Sequence, residues 1–189
     1  MKPRRLSNIV GFDDAPFERD GEDPVLVVGA LFSAGRLDGV LSTSVERDGA
    51  DATERLTRVI RDSRFAPQVQ LILTQGIAFG GFNVIDLQAV HEALGIPVMA
   101  VARHAPDRAT IRQALLDHVP GGAEKWAIID KQDLMEPLGP VFVQRAGIDR
   151  PTAERVIRET ATHSHLPEPL RTAHLIAGGV QTGESRHRP

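Results

Sequence analysis

The chain of 189 residues contains no cysteine, no tyrosine and a single tryptophan. Without cysteine there is no disulfide and no thiolate metal site. Without a hydrophobic run of transmembrane length, no membrane span is expected. Met1-Lys2-Pro3-Arg4-Arg5 is not followed by the apolar region of a signal peptide, so the expected location is cytoplasmic. The formal net charge of -3 excludes a strongly basic coat for nucleic acid and leaves room only for a local patch. Four of the few aromatic residues, Phe12, Phe17, Phe79 and Phe82, lie in or beside two stretches that also carry carboxylates and glycines.

What is present is ordinary for a globular protein, with 41% hydrophobic and 25% charged residues. This length fits one domain, residues 1–189, with a substantial core and a polar, basic tail from about residue 182. Leu6 to Phe12 reads as a short apolar strand, and Pro16 to Pro24 as a polar loop. Val25 to Phe32 is continuously apolar, as in a central buried strand, and Val40 to Val45 alternates. Helical spacing follows at Ala52, Leu56, Val59 and Ile60, then a strand at Val69 to Leu73. A second helical stripe runs through Val84, Leu87, Val90 and Leu94 to Gly95, followed by a buried run at Pro97 to Val101. Ile111, Ala114, Leu115 and Val119 form a helix opened by Asp107 and stopped by Pro120-Gly121-Gly122. Ala127 to Ile129 and Val141 to Val143 are strand candidates. Helices follow around Ala153 to Ala161 and over Pro167 to Ala177, the last ending at Gly178-Gly179.

Three antiparallel strands followed by parallel strands with helical crossovers make a mixed α/β sheet with helices on both faces. That order is the ribonuclease H-like one. It places Leu6 to Phe12 centrally, between Val25 to Phe32 and Val69 to Leu73.

Two stretches carry candidate chemistry. Ile9-Val10-Gly11-Phe12-Asp13-Asp14 is a buried strand ending on paired carboxylates. Adjacent strand residues point to opposite faces, so one of the two enters a shared site. The alternative is a turn opener, since Asp suits turns and Pro16 follows. Leu73 to Asp86 is a strand, a glycine-rich turn and a helix start. It has neither the spacing of a phosphate loop nor a following Gly-Lys-Ser/Thr. Gly76, Gly80 and Gly81 let the backbone turn tightly or approach a substrate strand. Phe79 and Phe82 either stack on bases or pack in the core. Asn83 reads as a helix cap with Asp86 at its third position, or Asp86 turns inward as a ligand. Asp51 with Glu54 has capping-box spacing and competes between cap and metal ligand. His174 lies on an apolar stripe with Leu170, Ala173 and Ala177 and reads as a hydrogen-bonded core histidine. Arg103 and Arg108 flank a polar loop and read as phosphate contacts or solvated charge.

These stretches, with the Asp48-Gly49-Ala50-Asp51-Ala52-Thr53 turn, resemble a mainly archaeal family similar to endonuclease V, some members of which are called endonuclease dU. Pro167-Glu168-Pro169-Leu170-Arg171, Ala173-His174-Leu175-Ile176-Ala177 and Gly183-Glu184-Ser185 also look like that family. The resemblance covers nearly the whole chain. It implies a ribonuclease H-like fold and cleavage of nucleic acid, DNA rather than RNA, near deaminated bases such as uracil or inosine. It implies Mg²⁺ or Mn²⁺ held by Asp13, Asp51 and Asp86, with substrate contacts at Gly76, Phe79, Gly80, Gly81, Phe82 and Asn83. The sequence departs from endonuclease V at Gln75, where that family has an acid, and in lacking the tyrosine of its lesion wedge. The competing reading is a nucleic-acid-binding or regulatory protein on the same fold that has lost catalysis. A third is an enzyme acting on a small nucleotide.

Overall fold

The computed structural model describes residues 6–18, 21 and 23–185. Seven strands form one mixed sheet. They are β1 (Asn8–Asp14), β2 (Val25–Ser33), β3 (Arg36–Val45), β4 (Leu71–Gln75), β7 (Val98–Ala102), β8 (Glu136–Leu138) and β9 (Val141–Ala146). A two-stranded hairpin, β5 (Ala78–Phe79) and β6 (Asn83–Val84), holds the glycine-rich turn. The helices are α1 (Ala52–Arg61), α2 (Leu87–Leu94), α3 (Arg108–His118), α4 (Gly122–Lys131), α5 (Arg150–Thr160) and α6 (Glu168–Thr182). The sheet order is β3-β2-β1-β4-β7-β9-β8. β1 is therefore central, between β2 and β4, as its continuous apolar character requires. It runs antiparallel to β2 and parallel to β4, β7 continues in parallel, and β9 and β8 return antiparallel.

Strand alternation divides the core. Val10, Phe12 and Ile72 face α1 and α2, with Leu56, Ile60, Leu87 and Val90. Ile9, Leu71, Leu73, Met99 and Val101 face α5 and α6, with Val156, Ile157 and Leu170. A smaller cluster, Val84, Leu115 and Ile129 with Phe82 and Trp126, seats α3 and α4 on the glycine-rich hairpin.

Three expectations change. Ala127 to Ile129 is not a strand but lies inside α4. The strand reading followed short apolar runs, and such runs do not separate a strand from a buried helix segment. The helix expected from Val84 starts at Leu87, because Asn83 and Val84 pair in the hairpin. α6 runs through Gly178-Gly179 to Thr182 and closes at Gly183, whose left-handed φ of 83° suits glycine. Of the basic tail, residues 186–189 lie outside the described residues.

Candidate active site

Gly11 decides how closely α6 approaches β1. A Cβ there would stand 2.5 Å from the carbonyl carbon of Pro169 and 2.6 Å from the Leu170 nitrogen, so only a glycine admits the start of α6. From this crossing, two strand residues advance ~6.7 Å and five helix residues ~7.5 Å. Asp13 and His174 therefore arrive together. Asp13 Oδ2 and His174 Nδ1 are 2.8 Å apart, and the Asp13 side chain is only 5% exposed.

The β1–β4 register extends the cluster. Phe12 pairs with Thr74, which sets Asp13 beside Gln75 at the ends of parallel neighbours. Both continue the α6-facing rows, after Ile9 on one strand and Leu71 and Leu73 on the other. The Gln75 Oε1 is buried and, among the described residues, has no hydrogen-bond partner. A buried oxygen of this kind is costly unless something supplies a donor or a cation.

Asp13 and Asp14 divide between the two faces, as alternation predicts. Asp14 Oδ2 accepts the Gly80 N–H at 2.9 Å, which ties the strand end to the glycine-rich hairpin. Burial pushes the Asp13 carboxyl above the usual carboxylate range, against hydrogen bonds from His174 and the Asp14 N–H that favour its ionised form. Asp14 is pushed up to about 6, first by burial and then by the charge of Asp13.

The other two predicted carboxylates do not join them. Asp51 stands at the N-cap position of α1 but makes no side-chain cap bond, so the Asp51–Glu54 box does not form. Its Oδ1 accepts from the Glu46 N–H at 3.1 Å and from Asn83 Nδ2 at 2.6 Å, and its Oδ2 from Arg55 Nε at 3.0 Å. Burial raises its pKa, but these donors outweigh burial and hold it below the usual range. Asp86 is itself the N-cap of α2, accepting the Ala89 N–H at 3.1 Å, and its Oδ2 pairs with Lys131 at 2.5 Å. Both acids are engaged by structural partners, Asp51 by three donors and Asp86 by two. Among the described residues no group of three or more His, Asp or Glu side chains is arranged to hold a metal ion.

Of the expected substrate contacts, Phe79 is 1% exposed and packs in the core, so it cannot stack on a base. Asn83 is fully buried, and its Oδ1 accepts the Ala52 N–H while its Nδ2 serves Asp51 and the Glu46 carbonyl. It is the hub of the α1 start, not a substrate contact. Phe82 is half-buried in the α3–α4 cluster. Gly80 and Gly81 turn with φ of 54° and 88°, and a Cβ on Gly81 would meet Asp48 Oδ1 at 2.4 Å. That oxygen accepts the Phe82 N–H at 2.7 Å. Gly76 N–H is taken by the Val101 carbonyl. These glycines shape the hairpin beside the site.

Sequence reasoning missed His174 as a partner of Asp13. A signal was present: a histidine on a buried stripe needs a hydrogen-bond partner, and a strand glycine marks a close approach.

The sequence profile described as Endonuclease dU matches residues 5–181. The chain belongs to that family. A UPF0215 protein of Deinococcus radiodurans is 48% identical over 181 residues, covering 96% of this chain and 92% of its own. A crystal structure of a protein of unknown function from Archaeoglobus fulgidus superposes with a TM-score of 0.87 at 30% identity, covering 94% of this chain and 99% of that one. Endonuclease V from Bacillus subtilis gives a TM-score of 0.63 at 14% identity, covering 94% and 82% of the two chains. Endonuclease V from Ciona intestinalis, solved with DNA containing an inosine, gives 0.57 at 14%, covering 89% and 83%. These last two likenesses show the ribonuclease H-like fold. Among the described residues no helix is long and apolar enough to cross a membrane.

Proposed function

We propose that this chain is an endonuclease that hydrolyses phosphodiesters in DNA near deaminated bases, uracil or inosine, and that Asp13, Gln75 and His174 form its reactive centre. The observation that carries the reading is the Asp13–His174 contact of 2.8 Å at the buried end of the central strand, beside the Gln75 Oε1, which has no partner among the described residues. The family description and the inosine-bearing DNA in the Ciona intestinalis endonuclease V structure support the substrate class.

The expected three-carboxylate ligand set does not fit Mg²⁺ or Mn²⁺, because Asp51 and Asp86 are committed elsewhere. A leaner set does fit. Mg²⁺ commonly takes one or two carboxylates and completes its shell with water and phosphate oxygens. Asp13 and the Gln75 amide oxygen would hold it. Such an ion, when bound, supplies Lewis-acid polarisation of the phosphate and an acidified water.

The chain's own groups orient and move protons. With Asp13 ionised, the Nδ1–H of His174 donates to Oδ2, which holds the ring in the tautomer with a lone pair on Nε2. That nitrogen accepts a proton from the attacking water, and the buried carboxylate stabilises the imidazolium that results. The hydrogen bond from Gly80 to Asp14 fixes the strand end, so Asp13 meets the substrate without reorganisation.

The scattered carboxylates favour a second reading, a DNA-binding protein on this fold without turnover. Incubation with uracil- and inosine-containing oligonucleotides, with Mn²⁺ and with EDTA, separates the two. Lesion-dependent cleavage that EDTA abolishes is the expected result. Binding without cleavage in Mn²⁺ and Mg²⁺ would establish the second reading.

A further inference from the structure

The α3–α4 hairpin is inserted between β7 and β8 and has no part in the sheet. It is nevertheless fixed to the site. Its apolar side packs on Val84 and Phe82 of the glycine-rich segment. Lys125 of α4, itself 4% exposed, donates from Nζ to the Asp48 carbonyl, and Asp48 in turn accepts the Phe82 N–H. The same glycine-rich segment gives its Gly80 N–H to Asp14. The hairpin is therefore linked through the glycine-rich segment to the end of β1, where Asp13 and Asp14 lie.

Trp126 of α4, the chain's single tryptophan, is partly buried at the edge of that apolar cluster and lies among arginines. The Arg108 guanidinium lies 4.9 Å from the centre of the Trp126 ring, and that of Arg112 lies 5.9 Å away. Arg112 is exposed and has no ion-pair partner among the described residues. Arg103 is also exposed and unpaired among them. It follows β7 directly, two residues beyond Val101, which pairs with Gln75. Two of the local acids are engaged: Asp107 caps α3 through the Ala109 and Thr110 amides, and Asp130 pairs with Arg108 at 2.9 Å, while Asp117 and Glu124 lie exposed on the same two helices. In a chain of net charge -3, this leaves two exposed guanidinium groups with no ion-pair partner among the described residues, Arg112 on α3 and Arg103 in the segment between β7 and α3. A guanidinium laid on an indole keeps its N–H edge outward in a fixed plane, the geometry that suits phosphate oxygens.

We infer that the exposed side of α3 and the segment leading into it from β7 take up the sugar–phosphate backbone of the DNA strand, with Arg103 and Arg112 as phosphate contacts and Trp126 setting the plane of Arg112. This rests on the nuclease reading above and adds where the strand lies outside the cluster of Asp13, Gln75 and His174.

The test is fluorescence anisotropy of the full chain with a labelled uracil-containing DNA strand in EDTA, over a salt series. Each lost phosphate contact makes the plot of log affinity against log salt shallower by ~0.7 to 0.9. The Arg103→Ala/Arg112→Ala double variant is expected to lose ~1.4 to 1.8 in slope and about tenfold in affinity at low salt. Trp126→Leu is expected to lose part of that affinity, and Trp126→Phe to retain it. The exposed pair Arg36→Ala/Arg158→Ala, away from the hairpin, serves as control and is expected to match the wild type. An unchanged slope in the Arg103/Arg112 variant, or an equal drop in the control, overturns the docking surface while leaving the nuclease reading standing. A wild-type chain that binds no DNA overturns both.

Discussion

Asp13 and Asp51 are both aspartates at the end of a secondary-structure element, and both were expected to bind one metal. The structure treats them in opposite ways. Asp51 takes three donors, the Glu46 N–H, Asn83 and Arg55, and its pKa is lowered against the pull of burial. Asp13 is buried further, its pKa is raised by desolvation, and it stands beside a histidine and an amide oxygen that has no partner among the described residues. A carboxylate that three donors hold below its usual pKa range ties a turn together. One kept dry beside a proton carrier and an open oxygen is poised to exchange a proton or take a cation. Sequence spacing alone does not separate these two fates.

The largest effect that would sharpen this contrast is at His174. Replacement by Ala should lower kcat by a factor of about 10² to 10⁴, the usual worth of a general acid–base group. His174→Gln, which keeps a donor for Asp13 but does not titrate, should remove one limb of the pH–rate profile. A full limb in the Gln variant would leave His174 with a purely structural role.

On the Asp51 side the effect should fall on stability. Asn83→Ala strips the acceptor from the Ala52 N–H and the donor from Asp51 and the Glu46 carbonyl. Leaving these groups unsatisfied should cost about 3 kcal/mol in chemical denaturation. A loss below about 1 kcal/mol would show that the 46–51 turn does not depend on this hub.

Asp14 gives a pH signature. Its pKa in the folded chain is about 6, above its ordinary 3.8, so the folded state holds its proton longer than the unfolded one. Stability from this group is fully present below about 4 and is lost as pH rises to about 6. Asp14→Asn should flatten the melting temperature over that window and gain about 2 kcal/mol at neutral pH. Asp13, raised in the same direction, should leave a residual slope. A variant with an unchanged pH profile would remove Asp14 as its source.

The smallest effect is at Gln75. Gln75→Asp adds charge to a lean ligand set and should tighten Mn²⁺ binding about tenfold in calorimetric titration. Equal or weaker binding would mean that the Gln75 oxygen does not face the cation.

The central part of the fold was legible because β1, β2 and β4 are long apolar runs whose order admits few topologies. α4 was misread in part, since Ala127 to Ile129 is apolar at a length shared by strands and helix segments. The position of Asp13 at the end of the central strand was legible from the apolar run before it, while its choice over Asp14, and the interest of Gln75, came from the family resemblance. Asp51 and Asp86 were ambiguous because a cap and a ligand use the same oxygens. The hub role of Asn83 was hidden, because its partners lie 31 to 37 residues away and meet only through tertiary packing. The pairing of His174 with Asp13 spans 161 residues and depends on the close approach at Gly11.

The most direct test compares Asp13→Asn with Asp51→Asn in one cleavage assay on uracil-containing DNA, at a temperature where circular dichroism shows both folded. Asp13→Asn is expected to lose about 10³-fold, about 4 kcal/mol of transition-state stabilisation. Asp51→Asn is expected within about threefold of the wild type, a difference under about 1 kcal/mol. Equal loss in both folded variants, or activity surviving in Asp13→Asn, would contradict this contrast between the two aspartates.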